Sequence, residues 1–347
     1  MLASDLLTLS PSGLYCPMAD VHIDPMRPVA RALITHGHAD HARAGHGAVL
    51  ATAETLGIMA VRYGENFTEA RQVAALGKPV SINGVSFTFH PAGHVLGSAQ
   101  IAVEAGGLRI VASGDYKRAA DLTCAAFEPI RCDVFITEAT FGLPVFRHPD
   151  TGHEVDKLLA SVNLFPERAH LVGAYALGKA QRLVSLIRQR GHDKPIYIHG
   201  AMEKLMAFYE GEGIAMGDIR KVAAHDRKTL AGEIILCPPS ALQDVWSRRF
   251  PSPVAAIASG WMRVRARARQ RGVELPLVVS DHADWDGLTQ TIRDTGASEI
   301  WVTHGEADAL VHWCGTQGLS AMPLNMLGYG GEGEGADAAE ANMDAAP

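Results

Sequence analysis

Short apolar, β-branched runs recur along the chain, and each ends abruptly on a polar or glycine residue. "RALIT" (31–35), "RIVASGD" (109–115), "DVFITEAT" (133–140), "HLVGAY" (170–175), "PIYIHG" (195–200), "EIILCPP" (233–239), "AAIASG" (255–260), "PLVVSDH" (276–282) and "EIWVTHG" (299–305) all have this form. Runs of this length, rich in Val and Ile, read as buried strands. Helix-like stretches lie between some of them, at 53–63 and 178–190; in the second, Leu183, Leu186 and Ile187 share one stripe. Strands alternating with helices predict an α/β architecture. In such folds the chemistry gathers where strands end. The polar residues that close these runs, His36, Asp115, Glu138, His282 and His304, are therefore the first candidates.

The 347 residues, 47% apolar and 20% charged, leave room for one large domain or two ordinary ones with ample core. No apolar run approaches the ~18–20 residues of a membrane span, so no membrane partner is expected. The opening "MLASDLLTLS" has no basic n-region, which argues against a secretory signal. Five scattered cysteines without a C-x-x-C favour reduced thiols, and with them a cytoplasmic setting. The formal charge is −7, but the segment from Gly331 carries Glu332, Glu334, Asp337, Glu340 and Asp344 with no base. This acidic Gly/Ala-rich tail, 331–347, reads as disordered. The rest is close to neutral, so total charge decides nothing about a nucleic-acid partner.

Residues 34–46, "ITHGHADHARAGH", follow the run "RALIT" directly. His36, His38, Asp40 and His41 form an H-x-H-x-D-H pattern. His36 and His38 leave a strand end in an extended turn and can face one point. Asp40 and His41 follow where the chain is expected to enter a helix, and can face a second point nearby. Imidazole and carboxylate together suit zinc, manganese or iron. The bland alternative, a loop of solvated histidines, does not account for six positions at this spacing after a strand.

The pattern resembles the metallo-β-lactamase superfamily, and further motifs of that family occur in order. Asp24 in "VHIDP" matches the aspartate that braces the ligand loop. His94 in "PAGHVLGSAQ" matches a lone histidine ligand, and Asp115 in "VASGDYKR" the aspartate that bridges two metals. "FITEATFG" with Glu138, "VVSDHAD" with His282 and "VTHGEAD" with His304 look like the successive motifs of the β-CASP nucleases. Artemis and the endonuclease of messenger-RNA 3′ processing belong to that group. "GLYCP", "YALGKAQR" and "ASGWM" are most similar to text of the bacterial ligase-associated DNA exonucleases. The resemblance covers about residues 10–330.

The resemblance implies a metallo-β-lactamase αββα sandwich with an inserted β-CASP α/β domain. Its parts are expected at 1–149 for the first half, 150–272 for the insertion and 273–330 for the return segment, with a cleft between the domains for the strand. It implies two divalent metal ions, Zn2+ or Mn2+. One would be held by His36, His38 and His94, the other by Asp40, His41 and His304, with Asp115 between them. Two such cations clamp a phosphodiester and lower the pKa of an attacking water. His282 is implied as the general acid, oriented by Glu138, and the products as 5′-phosphate and 3′-hydroxyl.

Substrate contacts are expected from Ser98, Lys179 and Arg182, the last two at a glycine turn and helix start where backbone N–H groups can receive phosphate. "SGWMRVRARARQR" adds Trp261 for stacking and Arg263 and Arg265 for phosphates. Alternation would place its arginines on one face of a strand, whereas a helix would spread them. His199 is a further candidate; His90 reads as structural, and His22, His46 and His312 as surface or supporting residues. The expected partner is DNA, single-stranded or with frayed ends, and the link to an ATP-dependent DNA ligase comes from the family name alone. His304 is the residue that RNA-directed β-CASP enzymes carry, so RNA is the runner-up. A thioester or lactone hydrolase and a non-catalytic binding subunit are weaker alternatives. Short acyl hydrolases need no large second domain, and every ligand position is filled.

Overall fold

The computed structural model describes residues 1–223 and 230–324; the tail expected at 331–347 lies outside the described residues. The described residues form two compact units, one from Met1–Arg147 with His282–Leu324, the other from within His148–Asp281. Residues 273–281 therefore lie with the second unit and not with the return segment, because the strand Leu275–Leu277 pairs with Val254–Ala258 there. Among the described residues no helix is long and apolar enough to cross a membrane.

The first unit contains two sheets. One runs in chain order through Thr8–Ser10, Gly13–Cys16, Val21–Ile23, Arg31–Leu33, His46–Ala51 and Thr68–Val73. The other is ordered Ser320–Pro323, Glu299–Gly305, Val134–Ala139, Leu108–Ala112, Ala99–Ala105, Val85–Pro91, Pro79–Ile82. Side chains of a strand alternate between faces. Phe87, Phe89, Ile101, Val103, Ile110 and Ile136 accordingly pack against Val21, Ile23, Leu33 and Leu50 of the first sheet. The alternate positions Val111, Phe135, Ile300 and Val302 meet the helices Trp285–Thr295 and Ala307–Thr316 through Leu288, Ile292, Leu310 and Cys314. On the outer face of the first sheet, Ile34, Val49 and Ala51 pack under Leu56 and Met59 of the helix Ala53–Tyr63. The layers are thus helix, sheet, sheet, helix. A strand covered on both faces must be apolar at nearly every position, which is why these segments read as unbroken runs.

The second unit has one sheet, ordered Ile219–Lys221, Ile196–Ile198, Ile234–Cys237, His170–Gly173, Val254–Ala258, Leu275–Leu277, with every pair parallel. Parallel strands need covered crossovers. The helices Thr151–Leu164, Lys179–Gln189 and Glu203–Gly211 lie between its strands in the chain. The arginine run adopts neither a strand nor a single face. Gly260–Arg263 is a 3-10 turn and Arg265–Gln270 a short helix that buries Ala268. Its arginines are consequently spread around the helix.

Candidate metal centre

The loop after the strand Arg31–Leu33 is held before it reaches its histidines. Asp24, in the left-handed conformation (φ 45°), accepts the Thr35 N–H at 2.8 Å, the Thr35 hydroxyl at 2.6 Å and the His41 Nδ1 proton at 2.8 Å. One carboxylate thus fixes both ends of the H-x-H-x-D-H stretch. Arg62, from the helix Ala53–Tyr63, donates to the Gly37 carbonyl at 2.9 Å. No helix begins at Asp40. The His38 carbonyl accepts the N–H groups of His41 (3.1 Å) and Ala42 (2.7 Å), and this tight turn rotates His41 toward the site.

His94 lies between the strands Val85–Pro91 and Ala99–Ala105. The hydroxyl of Ser98, itself buried, accepts the N–H of His94 at 3.1 Å and of Val95 at 3.2 Å, so Ser98 braces this turn. Two glycines are required by close approach. Gly93 has φ +72° and a Cβ there would stand 2.3 Å from the Lys117 carbonyl; Gly114 has φ +54° and a Cβ would meet the Thr35 hydroxyl at 2.7 Å. Each immediately precedes a donor, His94 or Asp115.

His304 is delivered by a bulge. In the pairing of Val134–Ala139 with Glu299–Gly305, Thr137 faces Val302 and Ala139 faces Gly305, so Thr303 and His304 together oppose Glu138. His304 takes φ 55°, unusual for a residue with a side chain. Bulges re-aim side chains in this way beside functional sites.

These elements bring the donors together. His36 Nε2 is 3.1 Å and His94 Nε2 3.0 Å from His38 Nδ1, and Asp115 Oδ2 is 3.4 Å from His36 Nε2. A second group is formed by His41, Asp115 and His304, with His41 Nε2 3.4 Å from Asp115 Oδ2 and His304 Nδ1 3.6 Å from Asp115 Oδ1. Donors bound at ~2.1 Å to one tetrahedral cation stand about 3.4 Å apart. The spacing and the all-imidazole-and-carboxylate chemistry therefore fit divalent cations on both sides of Asp115. Asp40 is more exposed than the rest, with its Oδ2 3.8 Å from His41 Nε2.

The electrostatics agree with that reading. Burial and then repulsion from His41 push the His36 imidazole down to about 4, so it is neutral and able to coordinate at neutral pH. Burial alone would raise the Asp115 carboxyl. The imidazoles of His41, His304 and His36 more than reverse this and hold it well below the carboxylate range. Burial opposes a charge on His41, yet Asp115, Asp40 and Asp24 around it push its pKa well above the usual value. A positive charge is favoured at that position, whether proton or metal.

Beside the donors, Glu138 Oε2 accepts from His282 Nδ1 at 2.9 Å, and Glu138 Oε1 accepts the Tyr116 N–H at 2.8 Å. Both side chains are buried. Burial raises the Glu138 carboxyl, and His282 draws it part of the way back. Nδ1 of the ring faces Glu138, and the His282 and His94 ring centroids are 4.6 Å apart. Tyr116 was not visible as a functional residue in the sequence because it acts through its backbone: its carbonyl also accepts the Ala283 N–H at 2.7 Å.

The expected substrate residues fare unevenly. Lys179 and Arg182 are buried, 4% and 3% exposed, so neither lies open as a phosphate grip. Trp261 is half-buried under the Arg267 guanidinium, 4.1 Å from its ring centroid, while Arg263 and Arg265 are exposed. His199 caps the turn Gly200–Met202 by accepting the Ala201 N–H. His46 is buried, not on the surface, and its Nδ1 accepts the Val29 N–H. His90 lies in the strand Val85–Pro91.

Because Asp24 orients His41 and the loop, Asp24→Ala is expected to weaken metal binding by about 10–100-fold. Zinc titration against a competing chelator measures this directly. An unchanged affinity would assign Asp24 to folding alone.

No protein-family model matches the chain. Among curated proteins it is 27% identical over 316 residues to a "Probable DNA ligase" of Opitutus terrae, covering 90% of this chain and 30% of that protein. It is 26% identical over 284 residues to "Cleavage and polyadenylation specificity factor subunit 3-I" of Arabidopsis thaliana, covering 67% and 41%. With "Endoribonuclease YSH1" of Candida glabrata it shares 36% identity over 112 residues, covering 31% and 14%. The chain spans less than half the length of these relatives. Among solved structures, a protein of unknown function from Enterococcus faecalis V583 matches with a TM-score of 0.53 over 78% of this chain and 74% of that one. At 13% identity that likeness concerns the fold alone. These sequence likenesses support the resemblance of the chain to the metallo-β-lactamase/β-CASP nucleases.

Proposed function

We propose that the chain is a metal-dependent phosphodiesterase that cuts DNA, acting exonucleolytically on single strands in DNA repair in the cytoplasm. In this reading the layered unit is the metallo-β-lactamase domain and His148–Asp281 the inserted β-CASP domain. The observation that carries it is the pairing of two donor groups through Asp115 with a buried Glu138–His282 pair alongside. An acyl hydrolase has no use for that second pair, whereas expelling a sugar oxygen needs a proton.

His36, His38, His94 and Asp115 would hold one cation, Asp115, His41, His304 and Asp40 the other, zinc or manganese. When bound, the cations supply the positive charge that neutralises the phosphate and lowers the pKa of the attacking water. Asp24 holds the His41 ring so that its Nε2 faces Asp115. Glu138 accepts from His282 Nδ1, which fixes the tautomer and leaves Nε2 to give a proton to the departing 3′-oxygen. Exposed Arg263 and Arg265 suit contacts to the phosphates of the strand, and Trp261 a stacking contact.

DNA is preferred because the relative that covers 90% of the chain is named a DNA ligase, and such a relative also supports a functional link to a ligase. Relatives named endoribonucleases, together with His304, favour RNA as the second reading. End-labelled single-stranded DNA and RNA of one sequence, incubated with manganese or zinc, test both. Stepwise shortening of the DNA is expected. Cleavage of RNA alone would replace the proposal with its alternative, and inertness on both, with metal bound, would refute the phosphodiesterase reading.

A further inference from the structure

We infer that the buried ion pair between Lys179 and Asp281 positions His282 for proton transfer, an inference that rests on the general-acid role proposed above. Lys179 opens the helix Lys179–Gln189, and its Nζ stands 2.9 Å from Asp281 Oδ1 with side-chain exposures of 5% and 1%. The ammonium also lies 4.7 Å from the Tyr175 ring centroid. A lysine removed from water to this degree has its charge committed to one carboxylate.

The helix is a rigid base for that pair. Leu183, Val184 and Ile187 are fully buried, and the N–H groups of Lys179 and Ala180 bond back to Leu177 and Tyr175. Residues after the strand Leu275–Leu277 have no regular structure, and side chains from two helices fix them instead. Glu154, from Thr151–Leu164, accepts the Val278 N–H at 2.9 Å, and Lys179 holds Asp281. The next residue in the chain is His282. Its backbone is therefore set from the preceding residue by Lys179 and its ring from the side by Glu138. A catalytic group displaced by about 1 Å loses about 100-fold in rate. Lys179 and Asp281 are positioning residues; His282 alone meets the substrate.

The reaction breaks the P–O3′ bond, water oxygen joins phosphorus, and the 3′-oxygen leaves with the proton from His282 Nε2. A strand with sulfur in place of the bridging 3′-oxygen releases a thiolate, which departs without that proton. Steady-state rates of the full chain with manganese, on the ordinary strand and on the sulfur-bridged strand, give the readout. Lys179→Met and Asp281→Asn are each expected to lower kcat on the ordinary strand by about 100-fold. KM should be little changed, and the sulfur-bridged strand should be cut at nearly the wild-type rate. Lys179→Arg should recover most of the activity. Leaving one buried charge alone can unfold the chain, so the double variant Lys179→Met/Asp281→Leu, which removes both charges, is measured alongside. It should melt like the wild type and show the same dependence on the leaving atom. Equal losses on both strands, a raised KM with unchanged kcat, or variants as active as wild type would overturn the inference while leaving the phosphodiesterase reading intact. A wild-type protein that cuts neither strand would overturn that reading and this inference with it.

Discussion

Asp115→Ala is expected to abolish strand cleavage and to reduce bound metal from two ions per chain to at most one. Among the described residues Asp115 belongs to both donor groups, and its two oxygens approach His36, His41, His94 and His304 at 3.4–3.8 Å. Removing it leaves buried imidazoles facing one another with no anion between them. His41, whose raised pKa depends on the surrounding carboxylates with Asp115 foremost among those that raise it, loses its strongest favourable partner. Activity should fall by at least about 10⁴-fold, the scale seen when a residue shared by the whole catalytic unit is removed. Metal analysis of the purified variant, alongside cleavage of a labelled strand, gives both numbers. Two ions retained with cleavage intact would remove the basis of the proposed function.

His282→Ala tests the other half of the site. With metals still bound, the ordinary strand should be cut about 10³-fold more slowly, since general-acid catalysis contributes 10²–10⁴. The sulfur-bridged strand should be cut at a rate close to wild type. Glu138→Gln should follow the same pattern more weakly, because it keeps the ring's neighbour while removing the charge that orients it. A loss of metal in His282→Ala, or an equal deficit on both strands, would make His282 a ligand and not a proton donor.

The convergence of these histidines and Asp115 was legible in the sequence because four of the candidates crowd into a short stretch and each of the others lies just beyond an apolar run. The layers were legible for a related reason: strands buried on both faces leave no polar positions to confuse the pattern. What the sequence hid were choices between local and distant partners. The turn at His38–Ala42 replaces the expected helix because the His38 carbonyl captures two N–H groups. Lys179 and Arg182 read as an open basic grip, yet the packed face of their helix draws them inside, where Lys179 meets an aspartate about a hundred residues along the chain. The alternation of "RVRARAR" fitted a strand, but its alternate alanines are good helix formers, and the short helix prevails. The bulge at Thr303–His304 depends on the register of two strands far apart in the chain, which no local pattern records.

On the proposed function, that bulge bears on when a newly made chain could first cut a strand. His282 and His304 both come after Asp281, beyond the segment that forms the second unit. A polypeptide still emerging from the ribosome carries His36, His38, Asp40, His41, His94 and Asp115 long before either of them. Until synthesis has passed Gly305 and the register of that strand against Val134–Ala139 is set, the nascent chain lacks His304 at its place beside Asp115. On the proposed function, a chain still being made would therefore be unable to cut a strand until this late pairing forms.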